Sequence, residues 1–72
     1  MNIVGKFDYE ELCILIPIMR RASKKYIESE LAKIETDDEE IEEILQSLKE
    51  KINEMDESEI RKLFDELPKE AQ

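Results

Sequence analysis

The stretch Ile41-Glu42-Glu43-Ile44-Leu45-Gln46-Ser47-Leu48-Lys49-Glu50-Lys51-Ile52-Asn53-Glu54-Met55 decides the fold. Ile41, Leu45, Leu48, Ile52 and Met55 step by four, three, four and three, and Ile44 flanks them. That spacing is a heptad seam, with charged and polar side chains on every other face. A helix so patterned must bury its seam against other helices. The spacing predicts a helix over residues 37–55. Just upstream, Thr36-Asp37-Asp38-Glu39 supplies a turn and an N-terminal capping signal.

Downstream, Asp56-Glu57-Ser58-Glu59 breaks the heptad register and offers Asp56 or Ser58 as a fresh cap. Ile60, Leu63, Phe64 and Leu67 then make one face of a short helix over residues 58–67, which Pro68 stops. The broken register makes this helix a lid of lower local stability than the elements it covers.

Toward the N-terminus, residues 1–7 read as a lead-in. Phe7-Asp8-Tyr9-Glu10-Glu11-Leu12 is a helix start. Asp8 caps, Glu11 completes a capping box, and Phe7 staples to Leu12. The run Leu12-Cys13-Ile14-Leu15-Ile16-Pro17-Ile18-Met19 has no polar face at all. A helix apolar all round must be buried all round. Pro17 removes a donor and clashes with the Cys13 carbonyl, so a kink or a fresh helix start is expected there. A strand over Leu12–Ile16 would lack a partner strand. Beyond the run, Met19, Ala22 and Tyr26 form one stripe, with Ile27, Leu31 and Ile34 beside it. The first helix is therefore read as residues 8–35.

The expected architecture is all-α and single-domain: an antiparallel hairpin of the first two helices, with the third folded back. A turn at Thr36 would set Ile34 and Leu31 against Ile41 and Ile44, Ile27 against Leu45 and Leu48, Arg20–Lys25 against Lys49–Asn53, and Met19 near Met55. One short third helix cannot wrap the apolar run. The leftover surface, with Leu12, Leu15, Ile16 and Met19, predicts self-association as a C2 dimeric bundle.

Composition narrows the function. The 72 residues include no His, one Cys and one Gly, and carry twenty acids against eleven bases for a net charge of −9. Without His, the commonest general base and metal ligand is missing, along with His-based triads and the Glu-x-x-His di-metal motif. One Gly excludes a phosphate-cradling loop. Twenty-one Ile, Leu, Val and Met residues are too many for a disordered acidic tail. The apolar run is far shorter than a membrane span, and acids rather than bases precede it, so no secretory signal is read there. A cytoplasmic protein is the expectation.

Charge is segregated along the chain. Arg20, Arg21, Lys24 and Lys25 cluster, whereas residues 28–43 hold nine acids and one base. The tip acids Glu35, Asp37, Asp38, Glu39, Glu40, Glu42 and Glu43, with Asp38, Glu39, Glu42 and Glu43 foremost, either bind a cation, imitate nucleic-acid phosphates toward a basic partner, or simply favour a solvated helix N-terminus. An EF-hand is excluded, since its alternating carboxylates and central Gly are missing. The basic cluster lacks aromatic interleaving on an acidic chain, so direct nucleic-acid binding is not expected. Cys13, among aliphatics and without His, reads as buried packing, and Tyr9 and Tyr26 read as core-edge residues. Phe64 and Leu67 are either core or an anchor for a partner's groove.

These features are common among small bacterial and phage regulators, and no motif assigns a family. The expected function is a non-enzymatic module that binds and modulates another protein as a homodimer, without cofactor or metal. The alternative is an acidic mimic that occupies the nucleic-acid-binding surface of its target.

Overall fold

The computed structural model describes residues 3–67. The stop expected at Pro68 lies outside them. The described residues are helical and contain no strand: a 3-10 turn over Val4–Lys6, then α1 (Tyr9–Ile18), α2 (Lys24–Ala32), α3 (Glu39–Glu54) and α4 (Glu57–Glu66).

Three of the helix starts lie where the acids place them. Asp8 precedes α1, and its backbone N–H donates to Glu11 Oε1 at 2.8 Å. Asp38 precedes α3, and its Oδ1 accepts from Glu40 N–H at 2.9 Å. Asp56 precedes α4 and exchanges bonds with Glu59 in a reciprocal capping box. Each cap satisfies N–H groups that the first turn leaves without partners.

The expected first helix over residues 8–35 is two helices. Pro17 neither kinks a continuous helix nor starts a new one. It sits one residue before the end of α1, where its missing N–H leaves the Cys13 carbonyl without its helical partner. Met19 then forms the centre of an inverse γ-turn, φ −83° and ψ 69°, closed by Arg20 N–H to Ile18 O at 2.9 Å. α2 starts afresh on Ser23, whose Oγ accepts from Tyr26 N–H at 3.3 Å.

One core draws on every element. Leu15 and Met19 come from α1 and its end, Ile27 and Leu31 from α2. Leu45, Leu48, Ile52 and Met55 come from the seam of α3 and its end, and Ile60, Leu63 and Leu67 from α4 and its end. Ile3 and Phe7, assigned to a lead-in, are also buried in it. Beside Ile3, Glu66 in α4 accepts from both Ile3 N–H, at 3.2 Å, and Val4 N–H, at 2.8 Å. Helical periodicity puts no weight on Ile3, and Phe7 is expected only to staple to Leu12, yet the 3-10 turn brings both inward.

The seam itself needs one correction. Ile41 is 39% exposed, whereas Leu48 and Ile52 have no exposed surface. α2 has nine residues against sixteen in α3, so the first turn of α3 runs past its cover. Lys24 Nζ bonds Asn53 O at 2.7 Å, within the stretch expected to face Arg20–Lys25, and residues 33–38 form a longer connection than a tight turn at Thr36.

Candidate functional site

The side chains singled out in the sequence fall on three separate surfaces. The first is acidic and belongs to α3. Glu39, Glu42, Glu43 and Glu50, with Gln46 and Ser47, line a shallow open groove of about 460 Å³. At 1.5 Å rise per residue these carboxylates extend along ~16 Å of one helix side. The ion pairs formed among the described residues, Lys6–Glu59, Lys33–Glu30 and Lys51–Glu11, involve none of them. Asp38 does not share this freedom, because its carboxylate is engaged as the cap of α3. Among the described residues, no three His, Cys, Asp or Glu side chains come together to hold a metal ion.

The second surface is the outward side of α1. At 100° per residue, a helix that points Glu11 and Leu15 inward must point Tyr9, Cys13 and Pro17 outward. Tyr9 is 81% exposed, Cys13 and Pro17 are exposed, and Leu12 and Ile16 are half-buried. The expectation that Cys13 packs inside the core therefore fails, as does the core-edge placement of Tyr9. A chain of this size has too few elements to surround α1. The four residues expected to associate with a second copy divide in the same way. Leu15 and Met19 are buried within their own chain, and only Leu12 and Ile16 reach the surface. Exposed Arg20 and Arg21 follow at the end of α1, with the Arg21 guanidinium carbon 5.2 Å from the centroid of the half-buried Tyr26 ring.

The third group is α4. Leu67 is buried in the core and Phe64 is half-buried against it. Most of the anchor expected at these two residues is thus taken up by intramolecular packing.

The structure adds a centre that periodicity did not reveal. Glu11 is only 2% exposed, and its Oε1 accepts from Lys51 Nζ at 2.6 Å as well as from Asp8 N–H. Lys51 also donates to Lys6 O at 2.9 Å and lies 5.5 Å from the Phe7 ring centroid. Burial pushes the Glu11 carboxyl up. The Lys51 ammonium and the Asp8 N–H outweigh it and hold the group below the ordinary glutamate range. The other oxygen, Oε2, is buried without a hydrogen bond. One signal in the sequence could have found the pair: Lys51 lies one heptad after the flanking Ile44, beside the seam. This centre ties the N-terminal turn, α1 and α3 together. Two of the three ammonium N–H donors are engaged by protein acceptors that join separate elements, which makes the pair structural.

No helix among the described residues is long and apolar enough to cross a membrane. Compared with protein-family models, curated proteins and solved structures, the chain matches none.

Proposed function

We propose that the chain is a non-enzymatic protein–protein interaction module: a small acidic regulator of the cytoplasm that binds and modulates another protein as a homodimer. The observation that carries this reading is the division of labour within α3. Its seam is occupied by the core, while Glu39, Glu42, Glu43 and Glu50 stay open along one side. Carboxylates free of structural duty attract a basic surface at long range. In this reading α2 and α3 form an antiparallel hairpin that presents the acidic side. The Lys24–Asn53 bond and the shared surface of Ile34 with Leu45 support it.

A second reading has its own support. The same four carboxylates follow one another along a single helix side, as an inhibitor that imitates nucleic-acid phosphates requires. Both readings are tested by capture from the native host with tagged wild-type chain and a Glu39→Gln/Glu42→Gln/Glu43→Gln variant, each at low and high salt. Asp38 is left intact to preserve its cap. The expected result is a stoichiometric partner held at low salt, lost at high salt and lost by the variant. Equal capture by both chains at both salts overturns the acidic surface as the binding site. If the captured partner also binds DNA or RNA, and nucleic acid displaces the chain from it, the mimic reading replaces the first.

A further inference from the structure

We propose that the outward side of α1 is an isologous dimer interface, on which a second copy of the chain lies antiparallel. The inference deepens the dimer component of the reading above and is independent of what the acidic side of α3 binds. Tyr9, Leu12, Cys13, Ile16, Pro17 and Arg20 follow one another along a single side of α1 and its end, and each is exposed or half-buried. An apolar helix side open to water is a feature that association removes.

The order of residues along this side identifies the occupant. The sequence of chemistry is symmetric about the point midway between Ile14 and Leu15. Inverting the helix about that point sets Leu12 opposite Pro17 and Cys13 opposite Ile16, and brings the end of one copy that carries Asp8, Tyr9 and Glu10 to the end of the other from which Arg20 and Arg21 follow. Acids mark one end, with Asp8 and Glu10 both exposed, and bases mark the other, with Arg20 and Arg21 both exposed. A two-fold axis through the midpoint therefore matches apolar to apolar and acid to base twice over, as an isologous contact demands. The antiparallel arrangement also sets the negative C-terminal end of each helix dipole beside the positive N-terminal end of the other.

α1 has ten residues and is about 15 Å long, so it covers less than the roughly 800 Å² per partner of a standard interface. The dimer is accordingly reversible, concentration-dependent and weakened by salt.

Charge reversal tests the arrangement without touching the core. Glu10→Arg and Arg20→Glu are made separately, and each is confirmed as helical by circular dichroism. Sedimentation equilibrium then follows wild type, each variant and their equimolar mixture. Either variant alone places like charges together at both ends of its homodimer. Association is expected to fall about tenfold or more in each. In the mixture, the introduced arginine of one copy meets the introduced glutamate of the other, while native Arg20 meets native Glu10. A heterodimer of near wild-type affinity is therefore expected. A wild-type chain that stays monomeric at every concentration overturns this proposal and the dimer reading together. A dimer indifferent to both reversals, or a mixture that fails to recover, overturns the α1 interface while leaving dimerisation through another surface intact.

Discussion

α1 and α3 confront the same problem, apolar side chains in a chain too small to surround them, and solve it differently. α3 concentrates its apolar residues into one seam and places Leu45, Leu48, Ile52 and Met55 in the core. α1 spreads them over the whole circumference, so the fold can take only Leu15 and the adjoining Met19 fully inside. Leu12, Ile14, Ile16 and Ile18 pack against the core only in part, and Cys13 and Pro17 are exposed. Patterning, rather than hydrophobic content, decides how much of a helix one chain can absorb. The excess on α1 is what makes that helix a candidate contact surface.

The comparison is broken most severely from the core. Leu48→Ala or Ile52→Ala removes a side chain with no exposed surface, and the expected loss in a urea titration is about 2–5 kcal/mol. Ile41→Ala, on the overhanging first turn of the same helix, should cost well under that. Equal losses at Ile41 and Leu48 would show that the first turn is covered after all.

Next in size is the link between the two helices. Lys51→Met leaves Glu11 buried without its ammonium and should destabilise the fold by about 3 kcal/mol. Glu11→Met/Lys51→Met removes both charges and should recover a large part of that loss, since no buried charge is then stranded. A double variant as unstable as Lys51→Met alone would contradict the assignment of the cost to the orphaned carboxylate.

Smaller again is the effect of pH. Glu11 and Glu66 both have folded pKa values below the ordinary glutamate value. At Glu11 burial acts upward, but Lys51 and the Asp8 N–H outweigh it; at Glu66 the Val4 and Ile3 backbone N–H groups favour the charged form. A depressed folded pKa means the unfolded chain takes up protons first as pH falls. Their contribution is therefore fully present above about pH 4.3, the unperturbed value, and is lost as pH drops through the folded values. Urea midpoints should fall over that window, and less so in Glu11→Gln. A Glu11→Gln chain with an unchanged acid slope would remove Glu11 from the account.

Much of this architecture was legible in the sequence, because caps and seams are local. Asp8, Asp38 and Asp56 announce helix starts through groups that bond within their own first turn. The step pattern after Ile41 identifies the buried side of α3 without knowledge of its neighbours. What escaped depends on tertiary position. The break between α1 and α2 rests on Pro17 and a modest Ser23 cap, while the apolar stripe runs across it as if the helix continued. Ile3 enters the core beside Glu66, whose carboxylate bonds Ile3 N–H and Val4 N–H from sixty-odd residues away. The Glu11–Lys51 pair joins residues forty apart. The candidate surfaces were legible in the same uneven way. The exposed acids Glu39, Glu42 and Glu43 stand out as a charge run, whereas the outward placement of Cys13 follows only once Leu15 is known to point inward.

The proposed dimer requires α1 to keep its outward side, with Tyr9, Cys13 and Pro17 exposed, outside its own chain for a second copy to cover. Cys13, the chain's one thiol, reports on it directly. The measurement is the rate of Cys13 modification by a neutral thiol reagent, relative to the urea-unfolded chain, across a dilution series. The expected rate is close to that of unfolded chain in dilute solution, falling as concentration brings copies together and recovering at high salt. A thiol protected even at the lowest concentration would place that side of α1 inside the monomer, and a fast rate at every concentration would show that no second copy covers it.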